Sequence, residues 1–179
     1  MSRFEYLFVL ISIVAGLALT QLLSGLAWSL RHSGRKVDYA HVLFWLGTIA
    51  LLYGIWWNSF RWEEHQPWTF SDYSLIFVYM SIFYVMAEIL HPRTSTVVPR
   101  FDEIRFSLYI AIIFFHWFEP LVIYVRDGFL SWDYLPLVIH ISALAAIGLF
   151  LRNRRFDQIF AGWYLLVNIA WQFAARFVG

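Results

Sequence analysis

Residues 104–125, IRFSLYIAIIFFHWFEPLVIYV, decide how this chain has to be read. A helix needs roughly 20 predominantly apolar residues to cross the hydrocarbon core of a bilayer, and this stretch meets that length with Arg105 and Glu119 as its only charged residues. A run this apolar belongs inside a large protein or inside lipid. The rest of the chain settles which. Its 179 residues are 61% hydrophobic, 21% aromatic and only 14% charged, with a mean hydropathy of +0.63. A soluble domain carries about 25% charged residues, and an unfolded segment needs low hydrophobicity and high net charge. Neither description fits.

Further stretches of the same kind run over residues 4–30, 39–60, 72–90, 133–151 and 156–177. With residues 104–125 they predict an all-α, polytopic integral membrane protein: one domain over residues 1–179, with six transmembrane helices and short loops. The breaks carry turn residues, namely His32-Ser33-Gly34-Arg35, Gln66-Pro67, His91-Pro92, Asp127-Gly128 and Arg152-Asn153-Arg154-Arg155. The runs lack the period of two that barrel strands require. The first stretch is too long for a signal-peptide core and is expected to be retained as a helix.

Basic residues set orientation, because cytoplasmic loops retain Lys and Arg. Arg31, Arg35, Lys36, Arg93, Arg100, Arg105, Arg152, Arg154 and Arg155 fall on one side, against Arg3, Arg61, Arg126 and Arg176 on the other. The richer side is expected to be cytoplasmic, which puts both termini outside, in the periplasm if the membrane is a bacterial inner membrane. Trp56, Trp57, Trp62, Trp68 and Trp132 then form an outer interfacial belt with Glu63, Glu64, Asp72, Asp127 and Asp133.

Composition and motifs exclude several functions. The chain has no cysteine and a formal charge of +1, so disulfides, thiolate metal sites and a basic nucleic-acid surface fall away. It has no phosphate-binding glycine loop, no Gly-x-Ser-x-Gly, no His-Glu-x-x-His and no arginine-rich voltage-sensing helix. No enzyme class is indicated.

Phe4-Glu5-Tyr6, Ser12-Ile13-x-x-Gly16-Leu17, Thr20-Gln21-Leu22-Leu23-x-Gly25-Leu26, Trp56-Trp57-x-x-Phe60 and Trp68-x-Phe70 together resemble a group of small multi-pass bacterial membrane proteins with no assigned activity. The resemblance covers mainly the first 70 or so residues. It implies a bacterial membrane location and no particular chemistry.

Small residues recur on two helices: Ser12, Gly16, Thr20 and Ser24 on the first, and Gly47, Gly54 and Asn58 on the second. Such stripes let helices approach closely, either within the chain or between copies, and a homo-oligomer is expected. Arg3-Phe4-Glu5 against Arg100-Phe101-Asp102-Glu103, and Tyr39–Gly54 against Tyr134–Gly148, suggest an inverted repeat of three helices.

Ionisable groups at membrane depth normally face a protein interior or a wet cavity. Ser74, Ser81, Tyr84, Glu88 and His91 share a face of the third helix. Arg105, Tyr109, His116 and Glu119 do so on the fourth, and Asp157, Ala161, Tyr164, Asn168 and Gln172 on the sixth. The fifth carries only His140. Counting about 1.5 Å of rise per residue puts His116, Glu119, His140 and Asn168 near one level, with Glu119 roughly 5 Å outward of His116. Glu88 and His91 lie near the cytoplasmic end, within reach of Arg93, Arg100 or Arg105. Pro120 lacks an N–H, so a carbonyl near Trp117 loses its partner and a kink is expected.

Several chemistries fit. His116, Glu119, His140 and Asn168, with Glu88 and His91 at the inner mouth, suit a conduit for protons or small cations. His116, Glu119 and His140 can instead supply two histidines and a carboxylate to iron or zinc. His116 and His140 can also ligate a b-type haem. No cofactor is expected on the conduit reading. In a purely structural account His116 and Glu119 pair with each other, and the chain is a membrane scaffold or partner subunit.

Overall fold

The computed structural model describes residues 3–31, 38–91, 101–130, 132 and 134–177. They form six α-helices and no strand: α1 (Arg3–Arg31), α2 (Tyr39–Asn58), α3 (Phe70–Leu90), α4 (Phe101–Asp127), α5 (Leu135–Leu151) and α6 (Arg154–Phe177). A 3₁₀ turn over Ser59–Glu64 follows α2. The loop motifs at His32-Ser33-Gly34-Arg35 and Pro92, and the basic residues Arg35, Lys36, Arg93 and Arg100, lie outside the described residues, as does Asp133.

Local chemistry sets the ends. Asp38 caps α2 by accepting the Ala40 N–H at 3.1 Å. Thr69 opens α3 two residues before the expected start through a capping box. The Asp72 N–H donates to the Thr69 hydroxyl at 3.3 Å, and the Asp72 carboxylate accepts the Thr69 N–H at 2.7 Å. Pro136 sits in the first turn of α5, where its missing N–H costs nothing. Arg152 ends α5 with φ 45°, in the left-handed region.

Among the described residues four helices are long and apolar enough to cross a membrane: α1, α2 with its 3₁₀ extension, α3 and α4. The apolar α5 is shorter, at 17 residues, and α6 is amphipathic, with Asp157, Asn168 and Gln172 among its apolar residues. Large apolar side chains are exposed on all six helices, with exposed charge at the helix ends and in the loops, as at Arg61, Glu63, Glu64, Arg154 and Arg155. Phe70, Phe150, Ile159 and Phe106 are 87%, 87%, 72% and 67% exposed, a distribution that suits lipid and would aggregate in water.

Close backbone packing joins α2 to α6, α1 to α3, α3 to α4 and α4 to α5. The pairing of α1 with α3 has no counterpart between α4 and α6, which meet through long side chains rather than close backbones. The expected inverted repeat is therefore not expressed in the helix packing.

The two small-residue stripes part ways. Gly47 packs against α6, where an added Cβ would lie 2.7 Å from the Tyr164 ring, and Gly54 packs against Gln172. Gly16, in contrast, has nothing within 4 Å of a built Cβ and is exposed with Thr20 and Ser24. Close approach on α2 is intramolecular, whereas the α1 stripe lies on the outside of the bundle.

Candidate functional site: a cavity floored by Glu119

The polar stripes of α4 and α6 face each other along the bundle. Near the N-terminal ends of both helices the Arg105 guanidinium pairs with Asp157 and, at 2.9 Å, with Asp102. Tyr109 donates to the other Asp157 oxygen at 2.7 Å. Arg105 and Asp157 are both buried. Above them lies a closed aromatic layer. Phe44 stacks on Phe101 at 5.5 Å and meets Tyr109, Phe160 and Tyr164 at 5.9, 5.6 and 5.6 Å between ring centroids.

His116 comes next, buried, with its ring 5.9 Å from that of Tyr164. Its Nδ1 lies 3.0 Å from the Ile112 carbonyl, which can only accept. In the neutral ring Nδ1 is thus the donor and Nε2 keeps its lone pair. A polar cavity of about 30 Å³ adjoins His116, Glu119, Tyr134, Asn168 and Gln172, large enough for about one water. The Asn168 amide donates to the Tyr164 carbonyl at 2.8 Å. α4 runs through Pro120 without ending. Because a proline N–H would have met the carbonyl four residues back, the released carbonyl is that of His116.

Glu119 separates this small cavity from a larger, partly open one of about 300 Å³, lined by Tyr79, Tyr134, Trp171, Trp62, Asn58 and Arg126 among others. Tyr134 donates its hydroxyl to the Glu119 carboxylate, and Tyr79 presents its hydroxyl to the same group. Among the described residues no cationic side chain forms an ion pair with Glu119. The two arginines that line the mouth share one carboxylate. Arg126 holds Asp127 through Nε and Nη2 at 2.7 and 2.9 Å, and Arg61 reaches the same carboxylate at 3.3 Å. His65 braces the rim between the Asp72 carboxylate at 3.3 Å and the Arg126 carbonyl at 3.4 Å.

Not every predicted residue joins. His116, Glu119 and Asn168 border one cavity, but His116 and Glu119 hydrogen-bond to Ile112 and Tyr134 and not to each other. This corrects the expectation of a packing pair. His140 lies on an exposed face of α5 and accepts the Trp163 Nε1–H at 2.7 Å. It lines neither cavity, so the arrangement of His116, Glu119 and His140 drawn for iron, zinc or b-type haem is not assembled. Among the described residues no group of three His, Cys, Asp or Glu is placed to hold a metal ion.

Glu88 and His91 stay at the C-terminal end of α3, where His91 Nδ1 lies 3.0 Å from the Gln21 carbonyl and 3.4 Å from the Ser24 hydroxyl. Arg105 is committed to Asp102 and Asp157 instead. Ser74 and Ser81 donate back to the Phe70 and Phe77 carbonyls of their own helix.

Tyr79 and Tyr134 are the site residues that sequence reasoning missed. A tyrosine in an apolar helix reads as core or interface. Tyr79 lies at the middle of α3 and Tyr134 caps the start of α5, and helix spacing alone did not bring either to Glu119. No family model, no curated protein and no solved structure matches the chain, so the site is argued from its own geometry.

Proposed function

We propose that this chain is a six-span bacterial inner-membrane protein, both termini outside, that takes up a proton or small cation at Glu119 from the outer side and acts as a small conduit. The observation that carries this reading is the setting of Glu119. It sits at the floor of the 300 Å³ cavity, and its hydrogen-bond donor is the neutral hydroxyl of Tyr134, with Arg126 lining the same cavity but bonded to Asp127. An ionised carboxylate out of bulk water is costly without a counter-charge, and a proton or a cation supplies one.

Beyond Glu119, the small polar cavity continues to His116 and Asn168, where a neutral imidazole can relay a proton. The aromatic layer around Phe44 and the Arg105–Asp157 pair close the inner side. On this reading the structure is the outward-open form, and transfer inward requires those two layers to part. Six spans are supported by the apolar exposed faces of α5 and α6, which carry Ile139, Ile147 and Phe150, and Ile159, Trp163 and Leu166. The polar Asn168 of α6 is turned inward. The reading requires one copy of the chain, and a homo-oligomer would place the exposed small-residue face of α1 between copies.

Infrared difference spectroscopy of the protein in nanodiscs tests the uptake step. Stepping pH or cation concentration should change a carboxyl C=O band that disappears in Glu119→Gln. A response identical in wild type and variant would remove Glu119 from the reading.

A further inference from the structure

The outer cavity is far larger than a proton or a monatomic ion requires. Its volume of about 300 Å³ falls at the lower end of the range for small-molecule sites, which are concave, mostly apolar and oriented by a few polar groups. Its walls come from Ile11, Ile76 and Met80 together with the rings of Trp62, Tyr134 and Trp171. Tyr134 and Trp171 are in contact, with centroids 5.4 Å apart. Of the two carboxylates that line the cavity, Asp127 at the mouth is held by Arg126 and Arg61, whereas Glu119 at the floor forms no ion pair among the described residues. Arg61 and Arg126 both line the cavity at its mouth, where they share the Asp127 carboxylate.

Resting on the proposed uptake of positive charge at Glu119, we infer that the ligand of this cavity is a small organic ammonium ion with an apolar body. Its N–H groups would donate to Glu119 and to the lone pair of the Tyr134 hydroxyl. The aromatic faces attract a cation through their quadrupoles, and the aliphatic side chains cover its hydrocarbon part. A divalent metal is a poorer match, since it seeks several hard oxygen ligands and the floor offers one carboxylate. A neutral alcohol of the same shape would gain the apolar contacts but leave the carboxylate without a counter-charge.

Butylammonium and 1-butanol, titrated into the protein in nanodiscs with tryptophan fluorescence as the readout, separate these cases. The expected result is a saturable change with butylammonium, at least tenfold weaker with 1-butanol and with sodium, lost in Glu119→Gln and retained in Glu119→Asp. Equal responses to butylammonium and 1-butanol overturn the inference, because the cavity is then merely apolar. So does saturable butylammonium binding that survives Glu119→Gln with the variant still helical and monodisperse. If butylammonium gives no response while the Glu119 infrared band still follows pH or sodium, the ammonium assignment falls and the proton or cation reading stands. The comparison of butylammonium with 1-butanol uses the wild-type protein, so a variant that fails to fold does not blunt it.

Discussion

Arg105 and Asp157 form a buried ion pair between α4 and α6, and Tyr109 donates to the second oxygen of the same carboxylate. Few close backbone approaches join these helices, so the bond between their N-terminal ends is made of side chains. Removing one partner strands a charge. Asp157→Asn or Arg105→Ala should cost about 3–5 kcal/mol, whereas the double change Arg105→Met with Asp157→Leu should be far milder, since apolar replacement of a buried pair is often neutral or better. Thermal unfolding in detergent checks the order. A double variant as unstable as either single one would show that the pair is needed for more than charge balance.

Glycine substitutions should separate the two small-residue stripes. At Gly47 a new methyl would lie 2.7 Å from a Tyr164 ring carbon and 3.3 Å from the Leu165 backbone, an overpacking that costs about 1–3 kcal/mol. At Gly16 the site is open, so alanine should stabilise by up to about 1 kcal/mol through helix propensity. Denaturation of Gly47→Ala and Gly16→Ala in one detergent should move in opposite directions.

The absence of cysteine makes single-cysteine scanning clean. Asn58→Cys, lining both cavities, should react with an impermeant maleimide added outside. Arg155→Cys, exposed at the start of α6, should react only from the cytoplasmic side. Phe160→Cys, in the closed aromatic layer at 1% exposure, should react from neither. Labelling of Arg155→Cys from outside would invert the orientation drawn from the basic residues.

His140→Ala should leave proton or cation uptake unchanged, because its one hydrogen-bond partner is Trp163 on the outer surface of the bundle. The infrared response of Glu119 provides the measurement, and its loss in His140→Ala would tie α5 to the site in a way the geometry does not.

These residues also show what a membrane sequence makes legible. Spacing placed Arg105, Tyr109, His116 and Glu119 on one face of α4, and Asp157, Tyr164 and Asn168 on one face of α6. Both faces are turned inward here. Periodicity fixes the face of a helix but not its neighbour, so the Arg105–Asp157 bond was not readable, although opposite charges near two helix starts on the same side were a usable hint. Depth counting put His140 level with His116. Rotation about the axis of α5 was undetermined, because a single histidine on an apolar helix defines no stripe, and the structure turns it outward. The sixth helix was found through its apolar residues, while its inward Asn168 and Gln172 lower its apolarity.

The central claim is that positive charge enters from the outer cavity and is held at Glu119. Flux into proteoliposomes driven by an imposed proton or cation gradient, compared between wild type and Glu119→Gln reconstituted at equal density, tests it most directly. The account predicts wild-type flux that falls at least tenfold in the variant while its helical content is kept. Equal flux through both proteins would contradict it.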